Sequence, residues 1–148
     1  MTADHMIAGP KDHSNTGDTC ALCVKDRASN WIEGVPAPHK SEEETVKAFQ
    51  RRMANQKPKY VYTDNSKELK AAMDTLQYVA DTCRAYKPQT NGVAERACRH
   101  CKEGTKCALV QSGFTHGWWQ HAMRHWSVLR NASEMCENRE NTIQIPIR

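Results

Sequence analysis

No run of about 18 apolar residues occurs anywhere in the chain, which excludes a membrane-spanning helix. The first residues, with Asp4, His5 and the pair Gly9-Pro10, offer neither a charged n-region nor an apolar h-region, so no signal peptide is expected. The expectation is a protein that is not secreted and works in the nucleus or cytoplasm. Internal repeats and low-complexity segments are also missing, which sets aside solenoids and compositional tails. Neither sign of charge dominates: 21 Lys and Arg stand against 17 Asp and Glu. The resulting net charge of +4 suits a polyanionic partner but is too mild to demand one, so the placement of charge matters more than its sum.

What is present fits one domain. A chain of 148 residues, 39% hydrophobic and 26% charged, can bury a real core and has the balance of a soluble globular protein. Seven cysteines without a secretory signal argue for reduced thiols, since an odd number cannot pair completely within one chain. Asn131-Ala132-Ser133 matches a glycosylation sequon that has no meaning without secretion.

Along the chain, Thr2 to Ile7 alternates as a strand and Gly9-Pro10 ends it. Cys20 to Val24 is a compact apolar run suited to a central strand, and Trp31 to Val35 makes a third. Short connections make these an antiparallel meander, and Pro36 and Pro38 are expected to stop it. Ser41-Glu42-Glu43-Glu44 forms a capping box for a helix carrying Val46, Phe49 and Met53. Tyr60 to Tyr62 is β-prone, with Asp64 just past its end, where sites form in open α/β sheets. Ser66 can cap a second helix with the stripe Leu69, Ala72, Met73, Leu76 and Ala80. A brief strand follows near Thr82 to Ala85, then helices over about 93–111 and 118–130. Residues 132–148 show no clear helical period and read as a tail or a truncated linker, leaving 1–131 as the domain.

The stretch Lys87 to Arg96 organises the rest. Pro88 disfavours helix before it, Asn91-Gly92 signals a turn, and Glu95 lands in the first turn of the third helix. A carboxylate there gains roughly 0.3 to 1 kcal/mol from the helix macrodipole, so a structural reading stands beside a metal-binding one. Pro88-Gln89-Thr90-Asn91-Gly92-Val93-Ala94-Glu95-Arg96 resembles the P-Q-x-N-G-x-x-E-R signature of retroviral and copia-type retrotransposon integrase catalytic cores. Tyr62-Thr63-Asp64-Asn65 is similar to the family's [ST]-D-N, and Asp4 falls where its first Asp would. Val24 to Trp31 resembles the family's D-x-x-S-r-w turn, and Trp118 to Asn131 its W-x-x-A helix ending in Asn. Each motif alone is modest; their order over residues 2–131 makes the match specific. The stretch between Asp64 and Glu95 is somewhat shorter than in retroviral relatives, a shortfall that fits strand five or the loop before Lys87.

The resemblance implies a ribonuclease H-like α/β fold: a five-stranded mixed sheet, an antiparallel meander plus two parallel strands, flanked by helices. It further implies Asp4, Asp64 and Glu95 as an acid triad holding two Mg²⁺ or Mn²⁺ ions. The activity implied is processing of the 3′ ends of element DNA, followed by strand transfer into target DNA by a homo-oligomer. The chemistry is consistent, because two divalent cations about 3.5 to 4 Å apart can activate an attacking oxygen and stabilise a leaving one. Mg²⁺ is a hard ion that takes carboxylate ligands. Spacing adds a second line: Arg99, Lys102 and Lys106 follow Glu95 within about 60° of one helix face. That face would seat DNA phosphates without reading sequence, and a solvated basic face is the plain alternative. Ala97, Cys98, Cys101, Ala108 and Leu109 form the expected core stripe behind it. Gln89 and Asn91 would line the DNA-facing loop or simply form it.

Rival readings exist for other residues. Asp4 could be an ordinary exposed acid in a frayed end, and Asp12 and Asp18 are loop acids. Asp26 with Ser29 is better explained as turn chemistry. Cys20-x-x-Cys23 and Cys98-x-x-Cys101 suggest zinc, but residues i and i+3 of a strand face opposite ways. His121 and His125 share a helix face without an evident third ligand. Trp118, Trp119 and Trp126 read as core and interface aromatics. The zinc-binding and C-terminal DNA-binding domains of integrases are not recognisable in these residues. Besides an active integrase core, the alternatives are therefore a truncated, catalytically dead nucleic-acid-binding domain and a zinc-stabilised interaction module.

Overall fold

The computed structural model describes residues 1–54, 56–82 and 92–143, with side chains through 135. Five strands, β1 (Thr2–Ile7), β2 (Cys20–Lys25), β3 (Ile32–Ala37), β4 (Val61–Thr63) and β5 (Ala80–Thr82), form one sheet in the order β3-β2-β1-β4-β5. β1, β2 and β3 pair antiparallel, whereas β4 runs parallel to both β1 and β5. This is the mixed sheet expected. Four helices cover it: α1 (Glu42–Met53), α2 (Lys67–Leu76), α3 (Gly92–Ser112) and α4 (Trp119–Ile143).

Two cores lie on the two faces. Alternation along β2 sends Leu22 and Val24 toward α1 and α2, where they meet Phe49, Val61, Leu69 and Met73. Ala21 and Cys23 point the other way, to Ala97 and Cys101 of α3 and to Trp119 and Met123 of α4. A strand covered on both faces has to be apolar at every position, which accounts for the unbroken run Cys20 to Val24.

α1 begins where expected: the Ser41 hydroxyl accepts the Glu44 amide at 3.3 Å, with Glu42, Glu43 and Glu44 in the first turn and Arg51 and Arg52 in the last. The reciprocal half of the box is replaced. The Glu44 carboxylate holds Lys47 at 2.9 Å, and the Ser41 amide donates to the His39 carbonyl. Ser66 precedes α2 without a side-chain cap, and α2 ends on Gln77 at φ 53°. Ala80, expected on the α2 stripe, belongs instead to β5 and is exposed.

Pro36 does not stop the sheet. It lies inside β3, opposite Ala21, because β3 is an outer strand and proline is tolerated where an amide would point away from the sheet. The preceding outward amides are taken by α4: Ile32 N–H donates to Asn131 Oδ1 at 3.0 Å and Gly34 N–H to Ser127 Oγ at 3.3 Å. Asn131 Nδ2 also donates to the Ile32 carbonyl at 2.8 Å, so one side-chain amide takes the place of a neighbouring strand. α4 continues past the expected end at Arg130 to Ile143. Ala132, Glu134, Met135 and Arg139 are good helix formers, and no Gly or Pro interrupts them.

Candidate active site

β1 delivers Asp4 to the α3 face of the sheet, on the same side as Met6. The carboxylate is half-buried and accepts the His5 amide at 2.7 Å. α3 delivers Glu95 from its first turn, exposed to solvent. Asp4 and Glu95 line one cleft of about 410 Å³ together with His5, Cys98, Arg99 and Lys102. Asp4 comes from the sheet side of this cleft, while Glu95, Arg99 and Lys102 come from α3, so hard oxygen donors and cationic donors are mixed within one concave surface.

Asp64 lies one residue beyond β4. The parallel register pairs Ala3 with Thr63, so one further step brings Asp64 level with Asp4. Its Oδ1 accepts the Ser66 amide at 3.1 Å, a local turn that starts α2. Asp64 is absent from the lining of the cleft holding Asp4 and Glu95, and it acts electrostatically on His5. Among the described residues, no three His, Cys, Asp or Glu side chains are grouped closely enough to hold a metal ion. The pair Asp4 and Glu95 still fits a hard divalent cation, since Mg²⁺ is commonly held by one or two carboxylates and completed by phosphate and water.

His5 follows Asp4 on β1 but turns to the opposite face of the sheet, toward α1. Its Nε2 lies 3.1 Å from Thr45 Oγ1, and its Nδ1 is buried with no hydrogen-bond partner among the described residues. Burial lowers the imidazole pKa to about 4, with Lys40 acting in the same direction and Asp64 and Glu68 opposing.

Arg99, Lys102 and Lys106 are exposed along the same side of α3 as Glu95, as their spacing dictates. Lys102 and Lys106 also rim an apolar cavity of about 250 Å³ between β1, α3 and α4. Gln89 and Asn91 lie outside the described residues. The buried stripe of α3 differs from expectation, being Ala94, Ala97, Cys101, Gly104 and Thr105, with Cys98, Ala108 and Leu109 half-buried at its margin.

The rival acids Asp12, Asp18 and Asp26 have structural partners. Asp26 takes the Ser29 hydroxyl at 2.7 Å, which chiefly holds its pKa low, and the Ala28 amide at 3.1 Å. Asp12 pairs with His116 at 3.1 Å, and Asp18 accepts the Thr16 hydroxyl at 2.7 Å. Cys20 and Cys23 fall on opposite sides of β2: Cys20 contacts the Ala37 carbonyl, while Cys23 Sγ lies 3.5 Å from Cys101 Sγ. His121 and His125 are exposed on α4, with the His121 ring against Trp118. Of the tryptophans, Trp119 is core, Trp126 is half-buried over α3, and Trp118 is largely exposed.

No family model matches the sequence, and no curated protein matches it either. Solved structures do. The catalytic core domain of BIV integrase superposes with a TM-score of 0.56 at 18% identity, covering 82% of this chain and 78% of that one. The HTLV-2 integrase catalytic core domain in complex with magnesium, a trimeric form, superposes with a TM-score of 0.61 at 16% identity, covering 85% and 80%. The chain has the fold of a retroviral integrase catalytic core. In this integrase-core fold the first strand, the end of the fourth strand and the first turn of α3 are the elements that carry Asp4, Asp64 and Glu95. No helix among the described residues is long and apolar enough to cross a membrane.

Proposed function

We propose that the chain is the catalytic core of a retroelement integrase, a divalent-metal-dependent polynucleotidyl transferase acting on DNA. The observation that carries this reading is the shared cleft of Asp4 and Glu95, flanked by Arg99 and Lys102, in an integrase-core fold. Residues 1–131 form the proposed catalytic unit, and α4 carries the chain beyond it to Ile143. The protein would work as a homo-oligomer in the nucleus or cytoplasm.

Asp4, Asp64 and Glu95 would hold two Mg²⁺ or Mn²⁺ ions. When bound, such a pair lowers the pKa of an attacking hydroxyl and neutralises the leaving oxygen. Arg99, Lys102 and Lys106 would seat phosphates of the DNA, and Gln89 and Asn91, just before α3 in sequence, would border it. In the first reaction a water oxygen bonds to phosphorus and the P–O3′ bond breaks, leaving a 3′ hydroxyl on the element strand. In the second, that hydroxyl bonds to a target phosphorus while the target's P–O3′ bond breaks. One phosphodiester replaces another, and the attacking proton ends on the departing oxygen by way of solvent.

A second reading, a nucleic-acid-binding domain of the same fold without catalysis, is favoured by the finding that, among the described residues, no three acids are grouped closely enough to hold a metal ion. A strand-transfer assay on short duplexes, titrated with Mg²⁺ and Mn²⁺, separates the two. For the enzyme, Asp64→Asn abolishes product while DNA retention persists. For the binding domain, the wild-type chain gives no product at any metal concentration and still retains DNA.

A further inference from the structure

A second cleft, of about 490 Å³, lies on the flank of α3 away from the apolar cavity, between the α3 N-terminal half and the turn joining β2 to β3. Its walls carry Lys25 and Arg27 from the sheet side and Arg96, Arg99 and His100 from the helix, against one acid, Glu103. Among the described residues none of Lys25, Arg27, Arg96 and Arg99 has a carboxylate within 4.0 Å, although other cations of the chain do. Arg96 Nε donates to the Gly92 carbonyl at 3.0 Å, which anchors that guanidinium at the helix start. Nearby potential competitors are already engaged: Glu134 with Arg130 and Asn30, and Asp26 with Ser29. Four cations left without acid partners and lining one concave surface constitute a site for a polyanion, and arginine's planar fork suits phosphate in particular.

Arg99 lines both this cleft and the one shared by Asp4 and Glu95. The two therefore adjoin at Arg99. We propose that the cleft of Lys25, Arg27, Arg96 and Arg99 carries the phosphodiester backbone of the same DNA that reaches Asp4 and Glu95, crossing α3 at Arg99. This rests on the DNA-binding reading above and extends the contact surface to the β2–β3 turn, beyond the ridge of Lys102 and Lys106.

The test is the salt dependence of binding to a short fluorescent duplex. Each phosphate contact contributes about −0.9 to the slope of log affinity against log salt concentration. Replacing both Lys25→Ala and Arg27→Ala should weaken binding and make the slope less negative by about 2. The pair Lys25→Arg and Arg27→Lys should restore it. A net-charge control, Lys47→Ala with Lys70→Ala on α1 and α2 across the sheet, should leave the slope unchanged. Should the cleft double variant misfold by circular dichroism, Arg96→Gln serves in its place, with an expected slope change of about 1. An unchanged slope in the cleft variants, with a loss of about 2 in Lys102→Ala plus Lys106→Ala, overturns the proposed path and leaves the ridge reading intact. Equal losses in the cleft and control pairs overturn it too, as an effect of net charge alone. A wild-type chain that binds no duplex at low salt overturns both readings.

Discussion

Gly104 of α3 packs directly under the indole of Trp126 of α4: a Cβ placed on Gly104 would collide with the Cδ1, Nε1 and Cε2 atoms of the ring. The two helices approach this closely because the residue between them has no side chain. Gly104→Ala should gain up to about 1 kcal/mol in helix propensity, yet force apart a packed contact at a cost of about 1 to 3 kcal/mol or more. The expected outcome is net destabilisation, read as a lower urea midpoint with an unchanged slope.

Asn131 satisfies both the amide and the carbonyl of Ile32. Asn131→Leu keeps the branching at Cγ but leaves two buried backbone groups without partners, each worth about 1 to 3 kcal/mol. A loss of about 2 to 6 kcal/mol is expected in equilibrium denaturation. Asn131→Asp keeps the acceptor for the Ile32 amide but sets a carboxylate oxygen against the Ile32 carbonyl in a buried site, so a loss no smaller is the further expectation.

His5 makes stability depend on pH. Its folded-state pKa, about 4, lies below the ordinary value of 6.5. Between those values the unfolded chain binds the proton and the folded chain does not, so the unfolded state holds more protons and stability rises with pH. The stabilisation is complete above pH 6.5 and is lost as pH falls toward 4. At 1.36 kcal/mol per pKa unit the full span is at most about 3 kcal/mol. Denaturant melts from pH 7 to 4 should show this slope, and His5→Gln should flatten it. Equal slopes in the two proteins would remove His5 as the cause.

Cysteine chemistry should divide by position. Cys107 is exposed, whereas Cys23 and Cys101 are buried between β2 and α3. Hydrogen bonding to Cys101 and Cys98, together with burial, pushes the Cys23 thiol well above its ordinary pKa. Since the thiolate is the reacting species, iodoacetamide should label Cys107 promptly and Cys23 only as the chain unfolds. Peptide mass spectrometry over a denaturant series reads this directly. Labelling of Cys23 at the Cys107 rate in native buffer would contradict the packing of α3 on β2.

Much of this architecture was legible because local signals agree with the fold. The unbroken apolar run Cys20 to Val24 already reported a strand covered on both faces, and Ser41 with its acidic followers reported a helix start. The order of the acid-bearing motifs pointed to the integrase-core fold before any contact was known. What could not be read depended on neighbours. Pro36 looks like a strand breaker until β3 is known to be outermost. Gly104 looks like a weakness in α3 until Trp126 is found against it. The place of Asp64 is set jointly by its parallel partner β1 and by a local turn to Ser66, and spacing along the chain reports neither. The cations of the β2–β3 turn carry no motif at all; only tertiary contact brings them to Arg96 and Arg99.

The outer margin of β3 has a consequence for how the chain behaves in company. Along that margin the three successive outward positions are filled by an amide side chain, a hydroxyl and an imino acid: Asn131, Ser127 and Pro36. A foreign strand drifting alongside would find no vacant donors to zip onto. The sheet is thus guarded against runaway polymerisation on this side, the hazard that unprotected margins invite. Any self-association of the native protein through β3 would have to proceed by packing of side chains rather than by lengthening the ladder.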